Sequence, residues 1–430
     1  MLRSMELENF QSFSQIELDL SGKNGSVKNH AFIYGENGSG KSNLINAVFL
    51  LKVCSGSLRK LKENPGINLP SSPPDDDLKQ LAKDLHMIGS EETMKLAYTF
   101  FIDGSDARYS IEFDKDGTLI KEVLENRINS RRGVLFRLES GEEPYFVRGL
   151  LKDKRLRDKI KSEIAQYWGK RSLICIMNED LRESNLQFID ENVNKNLLNF
   201  IQEINSTIVD TRSFPIVMAG IDMPKGHIRS DRGMDLDIIQ NMISSFFSRL
   251  YTDITGAFFK KEINGEFIDY ELFFQKRISG KIRDIPASWE STGTRKMIHL
   301  MSALISCVQG GCVFIDEMDT GVHNLLISGV IEQTIPDIKG QLVATTHNTC
   351  LMDELDANSV YVIGVDMDGF KKIRCVSSIE RIRKANSIRH KYYEGNFMGI
   401  PYIADLGLPG IAEMSKVDED SVRCGRTRRV

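Results

Sequence analysis

Eight consecutive residues limit what this chain can fold into more than any other feature: Gly35-Glu36-Asn37-Gly38-Ser39-Gly40-Lys41-Ser42. They follow a short apolar run, His30-Ala31-Phe32-Ile33-Tyr34, and precede Asn43 to Val53, where Leu44, Ile45, Val48, Leu51 and Val53 fall at helical spacing. Strand, glycine turn and helix in that order make a phosphate loop, because glycines let successive backbone N–H groups face one anion at a helix start. Lys41 is expected to reach the β- and γ-phosphates and Ser42 to ligate Mg²⁺, with Gly35, Asn37, Gly38, Gly40 and Asn43 as further nucleotide contacts. A surface turn holding Gly-Lys-Ser by coincidence would not need those flanking elements.

Val313-Phe314-Ile315-Asp316-Glu317 is an apolar strand ending in two carboxylates. Alone it could be a solvated strand end. Beside a phosphate loop the two acids take separate jobs, Asp316 as a magnesium ligand and Glu317 as the group that orients and polarises an attacking water. Gln341 to Asn348, QLVATTHN, is a second strand of the same kind, and its His347 could hold the γ-phosphate or that water. The thirty residues between Glu317 and His347 leave room for a crossover helix near Asn324 to Gln333 and a neighbouring parallel strand.

The sheet is therefore assembled from both ends of the sequence. Met5 and Leu7, then Ile16, Leu18 and Leu20, alternate as two early strands. Residues 64 to 77, NPGINLPSSPPDDD, predict an exposed excursion. Met94 to Ile102 and Tyr109 to Phe113 predict an antiparallel β-layer attached to the nucleotide core. From about Leu150 to Leu250 apolar residues recur at three and four positions among charges, which reads as an inserted helical lid or arm, with a buried run at Ser172 to Met177. A hairpin-like stretch follows around Phe267 to Phe274.

Composition excludes several classes. With 430 residues and 41% hydrophobic content, the chain is neither a fibre nor wholly disordered. A net charge of -4 gives no whole-chain case for nucleic-acid binding. No apolar run reaches the roughly 18 residues of a membrane helix, and the opening MLRSMELENF has no signal-like stretch, so a cytoplasmic protein without membrane attachment is expected. Seven scattered cysteines lack metal or disulfide spacing and read as reduced thiols.

Trp289-Glu290-Ser291-Thr292-Gly293-Thr294-Arg295-Lys296, ahead of VFIDEMDTGVH and ATTHN, resembles the signature, Walker B, D-loop and switch-histidine series of ABC-type ATPases. Order and wording are similar to the RecF, SMC and OLD-like branch, and especially to the stand-alone AAA-15 class found in phage-defence operons; the opening LRSMELENFQSF also looks like that branch. Thr292 and Thr294 depart from the transporter signature, where glycine and glutamine are common. Gln80 is a loose candidate for the Q-loop glutamine. On its own, ESTGT is equally a helix cap.

The resemblance implies an α/β fold: an ABC-type P-loop ATPase head with an antiparallel β-layer and an inserted helical lid or arm. Its expected parts are residues 1–149 and 256–403 for the two halves of the head, 150–255 for the arm and 404–430 for a tail. It also implies ATP and Mg²⁺ as ligands, and a head-to-tail homodimer in which Ser291, Thr292 and Gly293 reach the γ-phosphate on the opposite subunit. Asp319 and His323 would couple the two sites, and a higher oligomer is left open. The segment 382–403, with Arg383, Lys384, Arg389 and Lys391, looks like the closing motif of the stand-alone ATPases, although such a basic helix is also an ordinary solvated face.

The expected function is an ATP-gated switch acting on a separate effector, a nuclease being one candidate, in antiviral defence. No nuclease residue set can be placed in the chain, and 27 residues follow the closing motif, so the effector is expected on another chain. A RecF-like repair ATPase is the main alternative, drawing on six cations in Lys152 to Lys161, with DNA or RNA as partner. A toxin-neutralising adaptor is the second.

Overall fold

A computed structural model describes residues 1–56, 77–128, 131–183, 185–211, 224–380, 387–400 and 408–409. The chain opens with β1 (Leu2–Phe10) and β2 (Phe13–Asp19), then β3 (His30–Gly35), the phosphate loop, α1 (Lys41–Ser55) and α2 (Asp77–Leu85). A meander follows: β4 (Met94–Ile102), β5 (Ser105–Phe113), β6 (Leu119–Ile128), β7 (Arg131–Glu139) and the short β8 (Tyr145–Phe146). These strands join β1 and β2 in a seven-stranded antiparallel sheet ordered β2-β1-β4-β5-β6-β7-β8. The predicted excursion at 64–77 lies outside the described residues, except that Asp77 opens α2.

The helical insertion comes next, as α3 (Lys154–Tyr167), α4 (Leu173–Glu183), α5 (Leu186–Asn192) and α6 (Lys195–Ser206). Its apolar faces join the same core as the antiparallel sheet, through residues such as Ile160, Leu173, Leu197 and Phe200. Phe200 packs against Phe100 and Tyr109. Lys52 on α1 donates to the carbonyls of Ile204 and Asn205 at 2.8 Å, placing a cation on the C-terminal end of α6. The chain then runs into β9 (Ile208–Asp210), an edge strand of the second sheet.

Beyond that strand, β10 (Lys225–Arg229), α7 (Gly233–Leu250), β11 (Ile254–Asn264), β12 (Phe267–Ile278) and β13 (Lys281–Pro286) form a small sheet with one helix packed on it. The hairpin expected at Phe267 to Phe274 is the central strand of this unit. Thus the stretch expected as one arm, 150–255, packs in two ways: its helices up to Ser206 lie in the head's own core, while α7 belongs with the small sheet.

The remainder is α8 (Thr292–Gln309), β14 (Cys312–Ile315), α9 (Asn324–Thr334), β15 (Gln341–Thr345), β16 (Val360–Val365), β17 (Lys371–Cys375), α10 (Val376–Ile379) and α11 (Ile388–Tyr393). The second sheet has the order β17-β16-β3-β15-β14-β9, parallel throughout except for β17. Phe314 pairs with Val343, and Val343 with Ala31, so β14, β15 and β3 are adjacent and end together. Such strands are buried on both faces, which is why they read as continuous apolar runs. Between the two sheets lies α1, with eleven of its fifteen residues buried and apolar side chains all round.

Residues 1–399 make one compact unit; of the second, 400–430, only Ile400, Leu408 and Pro409 are described. Arg383 and Lys384 lie outside the described residues, as does Cys424. Among the described residues no helix is long and apolar enough to cross a membrane.

One buried acid ties the insertion to the sheet. Glu122 on β6 is wholly buried and accepts from the first amides of α4, Leu173 N at 2.6 Å and Ile174 N at 3.3 Å, and from Tyr109 Oη at 2.9 Å. Burial pushes its carboxyl up to about 7, against the pull of these donors. In the unfolded chain it ionises first, so its contribution is complete below about pH 4.5 and is lost as pH rises towards about 7. Urea titrations at pH 5 and pH 7.5 should show the parent protein losing roughly 2 kcal/mol more across this interval than Glu122→Gln.

Candidate nucleotide site

The carboxyl edges of three adjacent strands carry the chemistry. β3 leads into the phosphate loop, β14 into Asp316 and Glu317, and β15 into His347. They open on a cleft of about 720 Å³ lined by Asn37, Gly38, Gly40, Lys41, Ser42 and Asn43 from the loop and α1, with Glu317 and His347 facing them. Its remaining walls are Gln11 and Ser12 from the turn after β1, and Asp84, His86 and Ile88 around the end of α2. The volume suits a nucleotide. A larger cleft of about 830 Å³ surrounds Lys28, His30, Tyr361 and Cys375 at the opposite edge of the sheet, away from the strand ends where α/β sheets bind ligands.

Local packing forces the loop into its shape. Gly40 has φ +102°, and a β-carbon there would lie 2.6 Å from the Phe13 ring, so only glycine lets the loop settle on β2. Gly40 is also the N-cap of α1 and provides no side-chain cap, which leaves the helix start to an anion. Buried Lys41 donates from Nζ to the carbonyls of Gly35 at 2.8 Å and Glu36 at 3.0 Å. This cradle fits a polyphosphate.

Opposite the loop, a hydroxyl that sequence reasoning did not single out holds both acids. Thr345 Oγ1 donates to Asp316 Oδ1 at 2.7 Å and accepts from Glu317 N at 2.7 Å. Glu317 sits in the left-handed region at φ +47°, a costly conformation for a non-glycine residue, and Thr320 Oγ1 donates to its Oε2 at 3.0 Å. Asp316 is buried behind Glu317 and does not line the cleft; its N–H donates to Asp210 O on β9 at 2.9 Å. The Asp210 carboxylate pairs with Lys296 of α8 at 3.2 Å, and burial pushes its carboxyl up while Lys296 opposes the shift. The only hint of Thr345 in the sequence is a hydroxyl at the buried end of an apolar strand.

Thr345→Val should keep the strand and lose both bonds. We expect kcat for ATP to fall about tenfold or more with a smaller change in affinity, and Thr345→Ser to recover most of it, in steady-state assays.

His347 is fixed through its backbone. Its N–H donates to the Asp319 carboxylate at 3.2 and 3.3 Å, and the next residue, buried Asn348, donates to Asn324 O at 2.9 Å and Ser328 Oγ at 3.1 Å. Asp319 therefore ties the turn after β14 to the backbone of His347 within one chain. His323 caps α9, its Nδ1 accepting from Leu325 N at 3.2 Å.

Ser291, Thr292 and Gly293 lie outside the cleft that holds Lys41. Ser291 caps α8 by accepting from Thr294 N at 3.1 Å, and a β-carbon on Gly293 would lie 2.3 Å from Gly321 O, so the start of α8 rests directly on the turn between β14 and α9. Gly35 also lies off the cleft wall. Gln80 donates to Asp84 at 2.7 Å and is not among the lining residues, although Asp84 is.

A family model described as "AAA domain, putative AbiEii toxin, Type IV TA system" matches residues 31–353. No curated protein matches the chain. Among solved structures, an SMC head bound to the C-winged helix domain of ScpA is similar at 16% identity and a TM-score of 0.45, covering 87% of this chain and 97% of that one. An SMC head with an extended coiled coil, bound to the C-terminal domain of ScpA from Pyrococcus furiosus, has 17% identity and a TM-score of 0.42, with 87% and 95% covered. The SMC head domain from Thermotoga maritima has 15% identity and a TM-score of 0.37, with 87% and 98% covered.

Proposed function

The chain belongs to this AAA-domain family and is an ATP-hydrolysing P-loop protein, and from that premise we propose that it is a switch whose two copies close around ATP to control a separate effector. One observation carries the reading: Lys41 and Glu317 face each other across one cleft while the signature residues Ser291 to Gly293 stand outside it. A site containing both sets needs a second copy, and ATP would be the group that joins them.

In this reading Glu317 takes a proton from a water held by His347 as its oxygen bonds to the γ-phosphorus. The bond to the β-phosphate oxygen breaks, Lys41 balances the charge gathering there, and ADP and phosphate leave. Ser42, on the cleft wall, would hold Mg²⁺ directly and Asp316, set off the wall and held by Thr345, would hold it through water; the ion when bound neutralises phosphate charge. Closure with ATP and release after hydrolysis would move the elements that meet the effector.

The family description, which names toxins and a toxin–antitoxin system, supports a two-component arrangement. We place that arrangement in antiviral defence, with the effector on another chain. The repair reading loses support from its basic run: Lys152 donates to Glu191 O at 2.9 Å, Arg157 to Leu151 O at 2.9 Å and Lys159 to Asp180 at 2.6 Å, all within the chain. Light scattering of Glu317→Gln should give a monomer without nucleotide and a dimer or larger even-numbered assembly with ATP. A monomer in both states would remove the switch. Pull-down of the same variant with ATP from its native host should bring a protein effector; tight, salt-resistant DNA instead would favour repair.

A further inference from the structure

The nucleotide cleft has a neighbour from the far end of the sequence. Lys371, the first residue of β17, donates from Nζ to Gly38 O of the phosphate loop at 2.6 Å and to Ser12 Oγ at 2.7 Å. Both acceptors line the cleft. Ser12 Oγ also accepts from Asn43 Nδ2 at 2.7 Å, so the ammonium is tied through one hydroxyl to the first turn of α1. The charge lies 5.9 Å from the centre of the Phe13 ring, the surface against which Gly40 is pressed.

The groups that Lys371 touches are neutral. They are a carbonyl, a hydroxyl and an aromatic ring, and among the described residues no carboxylate forms an ion pair with it. The field of Glu36 acts on it, yet burial still lowers its pKa. A partly buried cation whose contacts are neutral is costly even with Glu36 nearby, and an incoming anion would offset that cost. In a phosphate loop the N–H groups face the ligand and the carbonyls face away, so a donor on Gly38 O also holds the loop in its binding shape.

We propose that Lys371 is a second cation of the nucleotide site, a positioning residue that braces the outer face of the phosphate loop and adds its charge to that of Lys41 towards the triphosphate of ATP. This rests on the reading of the cleft as the ATP site. Attraction of this kind is present before the reaction and persists through it, so it acts on affinity more than on turnover.

The test compares full-length parent protein with Lys371→Met, Lys371→Arg and Lys371→Gln, measuring ATP dissociation constants by calorimetry and steady-state hydrolysis. Lys371→Met should raise Kd and KM about tenfold with kcat within about twofold, and Lys371→Arg should stay within about threefold of the parent. Raising KCl from about 50 to about 300 mM should weaken the parent more than Lys371→Met. A folded Lys371→Met with parental Kd, or one with lower kcat and unchanged KM, overturns the proposal. If Lys371→Met does not fold, Lys371→Gln is judged by the same outcomes. Parental affinity in Lys41→Ala would instead overturn the assignment of the cleft itself.

Discussion

Glu317→Gln should lower kcat for ATP by about two to three orders of magnitude while leaving ATP affinity within a few-fold of the parent. The amide has nearly the shape of the acid and can still accept from Thr320 Oγ1, and the backbone bond from Glu317 N to Thr345 does not involve the side chain. Only the capacity to take a proton goes. Single-turnover hydrolysis with radiolabelled ATP, read beside equilibrium binding, separates the two quantities. Unchanged kcat would remove Glu317 as the base.

Lys41→Ala should fail differently. The buried ammonium bridges the carbonyls of Gly35 and Glu36, so its loss removes a charge from the phosphates and two bonds that shape the loop. Charge-assisted bonds of this sort correspond to about tenfold to hundredfold in affinity. ATP binding should weaken by at least that much and hydrolysis should become undetectable at ordinary ATP concentrations. Calorimetry with ATP gives the first and phosphate release the second. The pair of variants thus separates holding from reacting, which one general loss of fold would not do.

The sequence displays those parts of the fold where short-range pattern and chemistry coincide. β3, the loop and α1 are contiguous, and β14 and β15 are apolar runs buried on both faces, so sequence pattern alone places Lys41, Glu317 and His347 on one sheet edge. β6 was not legible, because two of its core-facing positions are Glu122 and Asn126, which break the apolar alternation. Glu122 is matched by the first amides of α4, and Asn126 Oδ1 by Ser105 Oγ and the Arg127 N–H. β9 was hidden for another reason: three residues at the end of a helical stretch carry no pattern, and their strand character comes from pairing with β14. Asp210 and Lys371 reach the site through tertiary contacts with residues far away in the chain, which local spacing does not encode.

The position of the arm shows the same limit. Amphipathic periodicity in α3 and α6 predicts helices but not what their apolar faces meet. α6 meets α1 and β4, α3 packs on α4, and all of them share one apolar cluster, so a change in nucleotide state at the start of α1 would act on a continuous core.

The most direct measurement is a crystal structure of Glu317→Gln grown with ATP and Mg²⁺. The account predicts one triphosphate lying between Lys41 and residue 317, its γ-phosphate also met by Ser291 of the partner subunit. A triphosphate bound away from either Lys41 or residue 317 would contradict it.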